Sequence, residues 1–395
     1  MNFSKNKLLF LVPLISLAVL FIFLLTQIPS ARLAPKNLPI AIVNEDKGIE
    51  TPDKGTVNLG DTMVATITES TLAAAGNKDP AIKWVTVAGY MQAKEGMDNQ
   101  EYYGALVIPQ DFSQKQVSLQ TPSPASPEFG IYVNQGMNAA AANTVTQALN
   151  GIVDNINVSA SAQLQEALTK QGGSLTLQQA QLLAAPISKA VSYVNPTGTQ
   201  ANAPVALFQP VWMGSLIAAV LTWMALKKAR TSNNKLKVLI IHVLVGAVTA
   251  LFIGFGVTWM AQGILDYQIP EFTDTALFLS IASFSFILMI SAVLLWVGMA
   301  GMPIFVLLLF FGAPLLAMAP ELMPRFYQNW VYTWLPMRFM VDGLRGLFFF
   351  GEGLHWSGAV SVLVWIGLGS LTVGYLSLFK RAAQPVKQAE ISSLG

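Results

Sequence analysis

VLIIHVLVGAVTALFIGFGVTWM, residues 238–260, decides the fold class. The run holds no Asp, Glu, Lys or Arg. As a helix rising about 1.5 Å per residue, it covers the roughly 30 Å hydrocarbon core of a bilayer. Hydrocarbon satisfies no backbone hydrogen bond, so a segment in it must be a helix or part of a closed barrel. Runs of the same kind occupy residues 8–28, 206–226, 276–296, 299–319 and 358–379. Composition agrees: 53% of the 395 residues are hydrophobic and 11% charged, where soluble domains carry roughly a quarter charged. The expected fold is a polytopic α-helical membrane protein with six transmembrane helices. Residues 297–298 alone separate the fourth span from the fifth, which predicts a tight helical hairpin.

The first run follows Lys5 and Lys7 and would resemble a signal peptide, but such apolar regions run about 7 to 15 residues and end in a small-residue site. Residues 1–28 are therefore expected to be a retained membrane anchor. From 29 to 207 charges recur, and short β-type runs alternate with Gly, Pro, Asn and Asp. Strands are expected at 39–43, 82–87, 103–108 and 129–133, with helices after the first, second and fourth, giving an α+β or α/β domain. After Met137, Val145, Leu149, Ile152 and Ile156 fall at helical spacing, and Leu164 and Leu168 extend the stripe. Residues 171–204, rich in Gln, Ala and Ser, read as a weakly specified return to the membrane. Residues 208–395 are expected to form a five-helix transmembrane domain.

Orientation follows from the bases. One set of ends and loops holds Lys5, Lys7, Lys227, Lys228, Arg230, Lys235, Lys237, Lys380, Arg381 and Lys387 against Glu390 alone, while the loop 262–275 holds Asp266, Glu271 and Asp274 with no base. The basic side is cytoplasmic by the positive-inside rule. Both termini then lie inside, and residues 29–207 lie outside the cytoplasm.

No span contains a carboxylate, Lys or Arg, and His242 is the one ionisable side chain at membrane depth. Proton and ion relays need such groups, so energy for any transport is expected from another subunit. His242, Gly246, Ala250, Gly254 and Thr258 recur every four residues, which makes a packing face or a pathway or subunit interface. Before the last span, about 334–350, Pro336 opens an amphipathic helix with Arg338, Asp342 and Arg345 on one stripe. It reads as an outer interfacial or re-entrant gate, or as a helix resting on headgroups. The basic loop of Lys227, Lys228, Arg230, Lys235 and Lys237 is a topology determinant or a grip for a cytoplasmic motor. The turn Asn44, Glu45, Asp46, Lys47, Gly48 reads as polar punctuation. The sequence lacks G-x-x-x-x-G-K-[ST], G-x-S-x-G and H-E-x-x-H, and it has no cysteine. No enzyme activity, cofactor, metal or nucleic-acid partner is expected.

LPIAIVNEDKG at 38–48 with VNLGD at 57–61, YYGALVIPQDFS at 102–113 with IYVNQGMN at 131–138, and MPRFYQNWVYTWLPMRFMVDGLRGLFFFG at 323–351 resemble the YhgE/Pip group, the phage infection proteins, within the ABC-2-type transporter permeases. The resemblance covers most of the chain in the family's order, without the extended coiled-coil insertion of longer members. It implies a bacterial cell-membrane permease for export of an amphiphilic or hydrophobic substrate, working as a homo- or heterodimer in the lipid bilayer with a cytoplasmic ABC ATPase. A non-transporting scaffold or receptor acting through the outer domain is the alternative.

Overall fold

A computed structural model describes residues 7–31, 35–52, 55–76, 78–121, 123–170, 177–230 and 234–379. Of the residues counted for orientation, Lys5, Lys380, Arg381, Lys387 and Glu390 lie outside the described residues, as do both chain ends and 231–233 of the basic loop.

After helix α1 (Lys7–Ala31), a five-stranded sheet is built from β1 (Leu38–Asn44), β4 (Ile82–Val87), β5 (Gly104–Ile108), β6 (Glu128–Asn134) and β7 (Ser188–Val194), in the order β4-β1-β5-β6-β7. All its neighbours are parallel except β5 and β6. A separate hairpin pairs β2 (Ile49–Thr51) with β3 (Gly55–Val57). β1 is apolar on both sides because both faces are covered. Leu38, Ile40 and Ile42 pack with Ile67 of α2 (Leu59–Ala75) and Val145, Leu149 and Val153 of α5 (Ala139–Lys170). Ala41 and Val43 pack with Ala93 and Met97 of α3 (Tyr90–Asp98). The short helix α4 (Phe112–Ser118) follows β5, and α6 (Leu177–Leu182) precedes β7. A Cβ on Gly104 would meet the Tyr132 carbonyl and Val145, so glycine there lets α5 lie close to the sheet.

The four expected strands form, and two expectations shift. The return segment contains β7, an edge strand whose residues are half-buried or exposed, so its apolar alternation is faint. In α5 the buried line runs Val145, Leu149, Val153, Asn157, Ala160, Leu164, Leu168, with Ile152 and Ile156 at its margin. Asn157 displaces an apolar residue because its amide donates to the Ile187 carbonyl (2.9 Å) and its oxygen accepts from the Ile187 N–H (2.8 Å), fixing the start of β7.

Among the described residues, four segments are long and apolar enough to cross a membrane: Ala203–Lys227, Lys235–Gly263, Phe272–Leu316 and Gly358–Phe379. They correspond to α7 (Ala203–Lys227), α8 (Lys235–Gly263), α9 (Phe272–Val297) with α10 (Met302–Leu316), and α12 (Gly358–Leu376) with its final turn. The short α11 (Pro336–Phe349) precedes α12. The chain is a membrane protein. α9 and α10 meet in a single 3₁₀ turn, Gly298–Gly301, with Gly298 at φ +71°. They do not close into the tight hairpin expected, since α10 lies against α1 and α7. Trp212 of α7 is the wedge: its ring packs on Phe286 of α9 (5.1 Å) and Phe305 of α10 (6.3 Å), and its Nε1 donates to the Phe305 carbonyl (3.3 Å).

Candidate functional site

β1 and β5 are parallel neighbours, so their C-terminal ends lie side by side and three sequence motifs converge there. Asp46, just past β1, is buried and forms no ion pair among the described residues. Its Oδ1 accepts from the N–H of Ser113 (2.9 Å) and Gly48 (3.3 Å), and its Oδ2 from the N–H of Gly60 (3.0 Å) and the Ser113 hydroxyl. Burial pushes this carboxyl's pKa up, but the Ser113 and backbone hydrogen bonds outweigh it and hold the group below its ordinary value. Asn58 donates to the Asp46 carbonyl (2.7 Å) and caps α2 at the Asp61 N–H (2.9 Å), while Asn44 donates to Asp61 (2.7 Å). A Cβ at Gly60 would strike Asn44 and Asp46, so this close approach requires glycine. The knot is closed on itself and stiffens one end of the domain.

The motif IYVNQGMN meets the helix bundle. Asn138 caps α5 at the Ala141 N–H (3.1 Å) and donates to the Ala317 carbonyl just beyond α10 (3.3 Å). Gly136 lies against Phe349 and Phe350 at the end of α11. The segment after α10 enters the domain: Ala319 and Leu322 are part of the sheet's core. The Glu321 carboxylate accepts from the Tyr103 hydroxyl (2.8 Å), and its carbonyl accepts from the Lys36 N–H (2.9 Å). Burial, and then Glu321, push the Tyr103 pKa far up, so the phenol stays protonated and donates. Arg325 pairs with Asp79, and Gln100 donates to Glu352 between α11 and α12 (3.2 Å). Helices and sheet are thus joined at the α10–α11 segment and at the α11–α12 loop.

Pro336 occupies the first turn of α11, whose Met337, Met340, Val341, Leu344 and Leu347 are buried in the bundle core. Arg345 donates to Asp342 (3.0 Å) and to the Leu316 carbonyl (3.1 Å), which ties α11 to the end of α10. Arg338 lies over the rings of Phe339 (4.5 Å) and Tyr332 (5.2 Å) instead of joining that pair. The α8 face is buried, with α9 as its main neighbour. His242 Nε2 bonds the Ser291 hydroxyl (2.7 Å), Gly246 faces Ile287, and a Cβ on Gly254 would collide with Ser280 and the Ala276 carbonyl. Ala250 and Thr258 are buried, and the Thr258 hydroxyl bonds the Gly254 carbonyl (2.7 Å).

In the basic loop, Arg230 donates to the Ser377 carbonyl (3.1 Å) and hydroxyl (2.8 Å), and Lys235 to the Leu378 carbonyl (3.0 Å). Both close the end of α12, where cations suit the helix dipole. Lys227 lies over Trp223 (4.9 Å), and Lys228 and Lys237 are exposed. Asp46, Ser113, Tyr103 and Glu321 are the residues that sequence reasoning misses. Only the turn-forming polar run at 44–48 signals any of them.

The three motif regions thus hold one structure together, the domain and its joint. Residues 8–367 match the family described as a protein of unknown function, DUF3533. The chain belongs to this family. It is also 27% identical over 133 residues to the uncharacterized protein YhgE of Bacillus subtilis (strain 168), a stretch that is 34% of this chain and 15% of that protein. That similarity agrees with the YhgE/Pip resemblance carried by the motifs. A solved domain assigned to the ABC type-2 transporters, from Thermotoga maritima MSB8, is 20% identical and aligns with 39% of this chain and 84% of its own length at a TM-score of 0.25, too low to equate the folds.

Proposed function

We propose that this member of the family is the permease subunit of an ABC-2-type export system that moves an amphiphilic or hydrophobic substrate. In this reading six helices cross the membrane, α1 and α7 to α10 with α12. The α/β domain stands outside the cytoplasm and a separate ATPase supplies the energy. The observation that carries it is the joint. Because Ala319 and Leu322 sit in the sheet's core while Arg345 holds the Leu316 carbonyl, a shift of α10 or α11 is transmitted to the domain and back. The spans supply no ion relay of their own, since their only Asp, Glu, Lys or Arg residues, Lys7, Lys227, Lys235, Lys237 and Asp274, stand at helix ends. α11, with Pro336, Arg338, Asp342 and Arg345, is the gate in this reading.

At the opposite end, Arg230 and Lys235 hold α12, which leaves Lys228 and Lys237 as the contacts for a motor. Affinity purification from native membranes in mild detergent, with mass spectrometry of co-eluting proteins, is the test. Recovery of a stoichiometric nucleotide-binding subunit that is lost from Lys228→Gln/Lys237→Gln protein supports the permease. Recovery of envelope or secretion components alone replaces it with a scaffold.

A further inference from the structure

A second polar site lies where the sheet meets the bundle. A cavity of about 340 Å³ is lined by Lys36, Asn37, Lys83, Arg325 and Gln328, with Asp79 and Glu321 at its wall. Both acids are engaged, Asp79 by Arg325 and Glu321 by the Tyr103 hydroxyl. Lys36 and Lys83 have no acidic partner among the described residues. The cavity is therefore net cationic, and its two amides supply further donors.

Its position names the source of the anion. The Tyr327 hydroxyl bonds the Leu25 carbonyl (2.7 Å), so the segment that supplies Arg325 and Gln328 lies beside α1 within its last two turns, about 9 Å from the helix end. From this segment Phe326, Trp330 and Trp334 project with 62%, 72% and 58% of their surface exposed. Large exposed aromatics at the end of an apolar bundle mark the headgroup level of a bilayer. A cationic cavity beside them faces phosphate groups held at that same level.

We propose that this cavity binds the phosphate of an anionic phospholipid, with Lys36 and Lys83 as the charged contacts, Asn37 and Gln328 as neutral donors, and Phe326, Trp330 and Trp334 seated among the neighbouring headgroups. Lys36 precedes β1 and Lys83 lies near the start of its parallel neighbour β4, so a bound lipid bridges the starts of two adjacent strands.

Full-length protein, delipidated in mild detergent, would be titrated with short-chain phosphatidylglycerol, short-chain phosphatidylcholine and inorganic phosphate, and binding followed by native mass spectrometry. Phosphatidylglycerol is expected to bind, and Lys36→Gln/Lys83→Gln to weaken it roughly thirtyfold, at about a factor of five per basic side chain. Lys36→Arg/Lys83→Arg should retain binding, as should Lys115→Gln/Lys170→Gln, which removes two distant bases. Equal affinity in wild type and Lys36→Gln/Lys83→Gln would overturn the site. Displacement of the lipid by equimolar inorganic phosphate would overturn the lipid as its ligand, and binding of phosphatidylcholine as strong as that of phosphatidylglycerol would overturn the charge recognition.

Discussion

Asp46 shows how a buried carboxylate survives without a salt bridge: four donors from Gly48, Gly60 and Ser113 replace its water. Asp46→Asn puts an amide NH₂ against donors and should cost about 2 to 3 kcal/mol, seen as a lower thermal midpoint of the full chain. The sign of the pH dependence follows from the depressed pKa. The group's stabilisation is complete above its unfolded value of 3.8 and is lost as pH falls through the lower folded value. The gap in midpoint between wild type and Asp46→Asn should hold at neutral pH and narrow in acid below 3.8; a gap independent of pH would refute the assignment. The sequence offers Asp46 as part of a polar turn, and its partner Ser113 lies 67 residues away. No local pattern relates residues brought together only by parallel strand pairing.

Among the elements, α8 and α9 are held by absence of side chain. Gly254 meets the backbone of α9 at Ala276, whereas the nearby Gly256 faces open space. Gly254→Leu should push the helices apart and destabilise by about 2 kcal/mol or more, while Gly256→Leu should be close to neutral, compared by thermal unfolding in detergent. The four-residue repeat of small side chains is legible in the sequence, but which neighbour it meets is not. Strands β1, β5 and β6 are legible because burial makes them apolar runs or alternations bounded by turn residues, and the edge strand β4 because it keeps Ile82, Trp84, Val85 and Val87. β7 is not, because an edge strand in a Gln- and Ser-rich stretch needs few apolar residues. The opening of α9 from α10 is equally invisible, since it depends on Trp212 arriving from α7.

Across the whole molecule, the joint decides whether sheet and bundle move as one body. Tyr103→Phe and Glu321→Ala each remove one charge-assisted hydrogen bond, worth about 1.5 to 3 kcal/mol. Each should raise amide exchange through residues 319–323 by about tenfold or more, leaving β1 protected. Unchanged exchange in both variants would show that the apolar contacts of Ala319 and Leu322 hold the joint alone.

By itself the sequence determines that the chain lives in a membrane, that an α/β domain interrupts its apolar runs, and where most strands and helices lie. These follow from local hydropathy and period, which lipid and the β-sheet impose residue by residue. Only the tertiary structure decides that Asp46 is a structural carboxylate, that the small-residue face of α8 belongs to α9, and that the stretch after α10 is part of the domain's core. Each of those rests on contacts between segments far apart in the chain. Their energies come from the exclusion of water and from donor geometry, which exist only once the chain has closed on itself.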